Sequence, residues 1–432
     1  MNNNNTVPSG EKFITAIVFL FSSGIFDPRI LPQLGSFKLN DFIIAPCCFI
    51  GVLILFSKCR PQLGAISWPR LSLLFAFYLF VGMSIVWSQN AMSGFMRYGG
   101  FALVSVWCIY LVLRYQIEEI LRILMVTLFC VALLSTFLAI FVPSIGVMST
   151  FLEQGDWSGV YRQKNTFGRQ MMLMVMAGLF LLTNYKKDTL SICAVILGVT
   201  LVIMSGSRTA YGLLILGLFF MLVIHFIERP MVFSFILISG TGGAIFGIYQ
   251  VLIKDIPPIA LNVENLALLG TTLPMTGRIG VWQYAAEWIE KSPWFGYGYD
   301  GFWKVRQKLD GMGEATEWMP NDAHNGYVDI VLQLGFIGLV VFILIYFLFF
   351  LIALTRSMKK DSLANDRFAL FVLSFFFWAN LTESYFLKAT NIMQILFSII
   401  IIMLCKPVLV ENKQSAQKVV RTHALFRKQK TQ

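Results

Sequence analysis

The chain has 432 residues, of which 57% are hydrophobic and only 13% charged, against about 25% charged in soluble proteins. A globule of this size cannot hide that much apolar surface, so an aqueous protein is excluded and the bilayer is the solvent for most of the chain. The net charge of +11 does not describe a nucleic-acid binder either, because the basic residues lie between apolar runs rather than along one face.

A membrane-crossing helix needs about 20 mostly apolar residues. In chain order such runs lie near 12–26, 39–57, 68–87, 94–113, 119–142, 166–184, 189–205, 209–228, 231–253, 326–354, 368–386 and 389–408. The first is short, cut off by Pro28 and Pro32. The segment before it, MNNNNTVPSGEK, lacks the basic start and small-residue cleavage site of a secretory signal, so this run is expected to be an uncleaved anchor. The expected fold is an all-α polytopic membrane protein with about twelve transmembrane helices. Its parts are about nine spans over 1–253, a large extracytoplasmic loop over 254–325, the remaining spans over 326–408 and a basic tail over 409–432. The seven cysteines all lie in or beside apolar runs, and no disulfide is expected.

Loop charge sets the orientation. With the N-terminus inside, the cytoplasmic segments are SKCR (57–60), NYKK (184–187), TRSMKK (355–360) and the tail that holds Lys406, Lys413, Lys418, Arg421, Arg427, Lys428 and Lys430. This arrangement obeys the positive-inside rule, with both termini cytoplasmic. It leaves the loop 143–165, the turn 205–208 and the long loop 254–325 outside. Within the long loop, Ile279, Trp282, Ala286 and Ile289 recur at helical spacing. They predict an amphipathic interfacial helix that Thr276 caps and Pro293 with Gly296 end.

Few residues on the outer side are equipped for chemistry. Arg208, in SGSRTAYG, is either an anchor that snorkels outward or a bidentate contact to an anion that the small neighbours Ser205, Gly206 and Ser207 let approach. Arg278, in MTGRIG, is a solvated loop cation or a second phosphate contact at a helix N-terminus. His324 is the only histidine on this side; it is a helix-entry residue beside the capping Asp322 or Asn325, or a general base. His225 and His423 are read as bland. Arg162, Lys164 and Asn165, with Arg169, form a basic cluster suited to lipid headgroups or an anionic substrate. The run WFGYGYDGFW (294–303) fits a sugar-stacking surface or an interfacial aromatic belt equally. No DxD pair, P-loop, GxGxxG after a strand or HExxH is present. No metal, no cofactor and no nucleic-acid partner is therefore expected, and any donor substrate should arrive already activated.

The segments WSGVYRQKNTFG, SGSRTAYG, TGRIGVWQYAAEWIEKSPWFGYGYDGFW and NDAHNGYVDIVLQLGFIG, in this order, resemble the bacterial O-antigen ligase and polysaccharide polymerase superfamily. NLTESYFLKATN resembles the segment before the last span in its exopolysaccharide polymerases. The resemblance covers about 150–400; Gln163 departs from the exopolysaccharide members, which usually carry His there. It implies a GT-C-like, metal-independent glycosyltransferase of the bacterial inner membrane with an undecaprenyl-diphosphate-linked glycan as donor. By matched position, Arg208 and Arg278 hold the pyrophosphate and His324 activates the acceptor hydroxyl; Arg162, Lys164, Asn165 and Asn325 are candidates for further substrate contact. The expected partners are the lipid-linked oligosaccharide, a glycan acceptor, the bilayer, and a chain-length regulator or flippase of the same pathway. The expected activity is polymerisation of surface-polysaccharide repeat units on the outer face of the membrane. The alternatives are a ligase that transfers lipid-linked glycan to a lipid A-core or protein acceptor and, from other classes, a flippase or transporter of lipid-linked sugars or a structural membrane partner.

Overall fold

The computed structural model describes residues 7–25, 39–149, 154–227, 276–309, 321–359 and 362–407. The expected span at 231–253, the 254–275 part of the long loop, and the tail beyond 407 lie outside the described residues. The described chain is helical, its only β-feature an isolated bridge between Val147 and Trp157. In order come α1 (Ser9–Ser22), α2 (Leu39–Lys58), α3 (Trp68–Met83), α4 (Ala91–Arg114), α5 (Ile117–Phe141) and the single turn α6 (Pro143–Gly146). Then follow α7 (Lys164–Asn184), α8 (Thr189–Met204), α9 (Arg208–His225), α10 (Thr276–Lys291) and α11 (Trp303–Leu309). Last are α12 (Gly326–Ser357), α13 (Ala364–Ala379) and α14 (Ile392–Leu404). Among these, six helical stretches are long and apolar enough to cross a membrane, and α2, α8 and α14 add shorter apolar helices. The protein is a multi-pass membrane protein.

The centre of the bundle is α7, which packs on α5, α8 and α9. Its span is 72% buried, against 28% for α12 and 33% for α9, so α7 is enclosed by other helices while α9 and α12 are peripheral. Small residues set the close approach to α7. A methyl at Gly198 would sit 2.5 Å from the Val175 side chain, and one at Gly217 would sit 2.6 Å from the Met176 sulfur. Without a hydrophobic drive between helices in lipid, such close contact is what holds them together.

The helix ends sort onto two faces. At one face Glu11 accepts from Arg114 Nε (2.9 Å) and Tyr110 Oη (2.8 Å), with Lys58 3.6 Å away. On that face Arg356 donates to the carbonyls of Leu404 and Lys406 at 3.0 and 2.8 Å, and Lys406 donates to Val112 at 2.8 Å. Cations on the last carbonyls of helices satisfy groups that have no intrahelical partner. This is the face with the basic loops. The opposite face holds the starts of α7, α9, α10 and α12 and the loop 380–391.

Two helices differ from the expected runs. The run at 368–386 stops being helix at Ala379, because Asn380 terminates it. Its side-chain amide donates to Phe376 O at 2.8 Å, its carboxamide oxygen accepts from Tyr385 N at 2.9 Å, and its carbonyl accepts from Gly326 N at 2.8 Å. The chain thus turns back onto the start of α12, and 380–391 is a folded loop. In α10 the buried positions are Val281 and Ala285, while Ala286 is exposed. The packed face is therefore rotated from the expected Ile279–Trp282–Ala286–Ile289 stripe, since α10 lies against α12 rather than against lipid alone.

α12 is itself broken at Gly335, whose φ of 67° and ψ of −174° are not helical. The segment 293–298 inserts at the break. Tyr297 N and Gly298 N donate to Leu332 O (2.8 Å) and Gln333 O (2.9 Å), and Phe336 N donates to Pro293 O at 2.8 Å. These bonds satisfy the backbone groups that the break frees, which in a bilayer is obligatory. The stretch after it, 336–357, is about 33 Å long at 1.5 Å per residue and spans a hydrocarbon core by itself.

Candidate functional site

Helix starts and one loop build the candidate site. Ser207 caps α9 by accepting from Ala210 N at 3.2 Å, and its hydroxyl donates to Asn165 Oδ1 at 2.8 Å. This joins the first turns of α7 and α9. Asn325 caps α12, accepting from Tyr327 N at 3.0 Å and Val328 N at 3.2 Å, and donates to Leu381 O at 3.3 Å. The start of α12 is thereby tied to the loop 380–391. Each helix start directs free N–H groups and the positive end of its dipole towards the same region.

At the meeting point is Glu383, 3% exposed. Its carboxylate is ion-paired with Arg169 from α7 and with Arg278 from α10, the latter at 3.2 Å. His324 Nδ1 lies 3.8 Å from Glu383 Oε2 and 3.6 Å from Asp322 Oδ1. Asp322 in turn pairs with Lys388 and accepts from His324 N at 2.9 Å. Burial alone would raise the Glu383 carboxyl, but Arg169, His324 and Arg278 more than offset it and hold it below its ordinary value. Asp322 is half-buried, and Lys388 and His324 hold it well below the ordinary carboxylate range.

The histidine is held in an unusual backbone state. Its φ is +48°, a left-handed conformation that a non-glycine residue adopts at some cost and that tends to persist where surroundings impose it. Here they do: Trp282 Nε1 donates to Ala323 O at 2.8 Å, and Ala323 N donates to Asp329 Oδ1 at 3.0 Å. Two carboxylates therefore face its Nδ1, at 3.6 and 3.8 Å.

Of the residues proposed from sequence, Arg278 and His324 meet directly on Glu383. Arg208 begins α9 and is exposed, and it makes no ion pair with the described residues. Its neighbour Thr209 accepts from Arg278 at 3.3 Å, which puts the two arginines at the same helix start. Asn165 braces Ser207, Lys164 pairs with Asp156 at 2.6 Å, Asn325 is a helix cap, and Arg162 is exposed and outside the Glu383 cluster's ion pairs. The aromatic run is mostly structural: Tyr299, Phe302 and Trp303 are buried, leaving Trp294 and Phe295 exposed.

Reading the sequence for site residues missed Glu383, Asp322 and Lys388 as members of one cluster, and took Arg169 for a flanking cation. One signal was available. An acidic residue at the edge of an apolar run is costly unless paired, and so marks a site.

The O-antigen ligase family model matches residues 193–343. This stretch contains Arg208, Arg278, His324 and Asn325, and ends before Glu383. The chain resembles the O-antigen ligase superfamily. A provisionally named polysaccharide ligase of Rickettsia conorii is 29% identical over 172 residues, 39% of this chain and 40% of that protein. Similarly named proteins of Rickettsia felis and Rickettsia typhi are 31% identical over 119 residues and 26% over 169. These cover 27% and 38% of this chain and 28% and 40% of those proteins. The chain thus spans at most about two fifths of the length of the curated relatives it matches.

Proposed function

We propose that the protein transfers a glycan from a polyprenyl-diphosphate carrier, undecaprenyl diphosphate, to a sugar hydroxyl on the outer face of the bacterial cytoplasmic membrane, and thereby polymerises the repeat units of a surface polysaccharide. One observation carries this reading: Arg278 and His324, distant in sequence, converge on one buried carboxylate beside the exposed Arg208. In the reaction, the acceptor oxygen forms a bond to the anomeric carbon while the bond from that carbon to the diphosphate oxygen breaks. The leaving diphosphate gains negative charge, which Arg208 and Arg278 offset, and His324 takes the acceptor proton. No electron transfer is involved, and the activated carrier supplies the driving force.

The orientation of this site rests on the basic loops of the opposite face, which favour the cytoplasm. A second reading, a ligase that moves finished glycan to a lipid or protein acceptor, is favoured by the names of the Rickettsia relatives. In either case His324→Ala and Arg278→Ala, expressed at normal levels in a deletion strain, should each reduce product by about 10²-fold or more. Full-length product from both variants would reject the assignment. Glycan profiling of the deletion strain separates the two readings: single repeat units accumulate if a polymerase is lost, long carrier-linked chains if a ligase is lost.

A further inference from the structure

Arg278 and His324 are the residues to which the proposed chemistry assigns contact with substrate, yet neither position is set by its own helix alone. Arg278 is in the first turn of α10, and His324 precedes the cap of α12. What the two share is Glu383. One carboxylate oxygen accepts from Arg278 Nη2 at 3.2 Å, and the other faces Arg169 and lies 3.8 Å from His324 Nδ1. A carboxylate with two acceptor oxygens is suited to this division, since each oxygen offers two lone pairs in fixed directions. The loop that carries it is itself anchored, by Asn380 to Gly326 and Tyr385 and by Asn325 to Leu381.

We infer that Glu383 is a positioning residue of the transfer reaction: its single carboxylate aligns the Arg278 guanidinium and orients the His324 imidazole as the base for the acceptor proton. This rests on the functional reading above. Glu383 acts through its partners and is too buried, at 3% exposure, to meet substrate. Arg169 is the third party. It keeps the carboxylate ionised and in place when a diphosphate draws Arg278 towards itself. The charge around the histidine then comes from Glu383 and Asp322, set against Arg169, Arg278 and Lys388, with the Tyr385 hydroxyl bordering the same carboxylate.

The test compares Glu383→Gln with Glu383→Asp in detergent-purified full-length protein, using a synthetic polyprenyl-diphosphate oligosaccharide as donor. Glutamine keeps the shape and removes the charge. It should lower kcat by about 10²-fold, close to the loss for a misplaced base, with a smaller change in the KM for donor. It should also move the acidic limb of the pH–rate profile to lower pH, because an imidazolium beside a neutral amide releases its proton more readily than one beside a carboxylate. Glu383→Asp should restore part of kcat and return the limb towards its original position. Size-exclusion and thermal-unfolding profiles identify any variant that fails to fold. If Glu383→Gln misfolds, Glu383→Asp carries the test: a folded variant with reduced kcat and a smaller change in the KM for donor supports the role, and near-normal kcat overturns it. Folded Glu383→Gln with near-normal kcat, or with a reduced kcat and an unmoved limb, also overturns it. If His324→Ala is fully active as well, the functional reading itself has failed rather than this inference.

Discussion

The candidate site holds arginines in two environments, and their environments predict different responses. Arg208 is exposed at the start of α9, so Arg208→Ala should leave thermal stability within about 0.5 kcal/mol of the native value while lowering transfer by about 10²-fold. Arg169 pairs with a carboxylate that is almost wholly buried. Arg169→Met strips that carboxylate of its closest partner and should cost about 3 kcal/mol in stability, seen as a large drop in Tm in detergent. Equal effects of the two substitutions on Tm would contradict the geometry. Acid should act through the same cluster. Glu383 and Asp322 both sit below their ordinary values of 4.5 and 3.8. Their stabilisation is complete above those values and is lost as pH falls through the lower folded-state values. Tm should therefore be level above about pH 5 and fall below about pH 4, with a shallower fall in Glu383→Gln.

At the scale of elements, the break in α12 decides whether the site can form. A methyl group at Gly335 would sit 2.1 Å from the backbone of Trp294, at a φ of +67° that disfavours any side chain. Gly335→Ala should cost about 3 kcal/mol or more from strain and overpacking together and should expel the 293–298 segment. The expected readout is new protease cleavage near Trp294 together with lost transfer activity, and a variant as resistant as the native protein would show that the insertion is dispensable. The same element shows where reading a sequence stops. The composition of 326–354 announced an apolar helix and the helix is there, but nothing local distinguishes a glycine that packs from one that breaks the ladder. The insertion becomes visible only when the acceptors at Leu332 and Gln333 are found facing the donors at Tyr297 and Gly298. The 380–391 loop was hidden for a related reason: Leu381, Tyr385 and Phe386 read as a continuation of the apolar run, and the stop is made by hydrogen bonds of Asn380 to residues on both sides of it.

For the whole molecule, the two-faced arrangement makes a prediction about the membrane. Starting from a cysteine-free variant, which requires replacing seven free cysteines, Arg162→Cys should react with an impermeant thiol reagent on intact spheroplasts. Lys186→Cys, on the face with the basic loops, should react only after permeabilisation. The reverse pattern would invert the topology and with it the proposed outer site. The sequence by itself determined the solvent, the helical class, most span positions and the polarity of charge between loops. Each depends on run length and composition over some 20 residues, a range within which the chain's own neighbours dominate. It also marked Arg208, Arg278 and His324, through their motifs and the scarcity of other charge. Only the tertiary structure decided what joins them. Glu383 is 214 residues from Arg169 and 105 from Arg278. Contacts at such separations arise from the packing of α7, α10 and α12 at one end of the bundle. In that low-dielectric setting a lone carboxylate is costly, and the cations that neutralise it become the residues it holds in place.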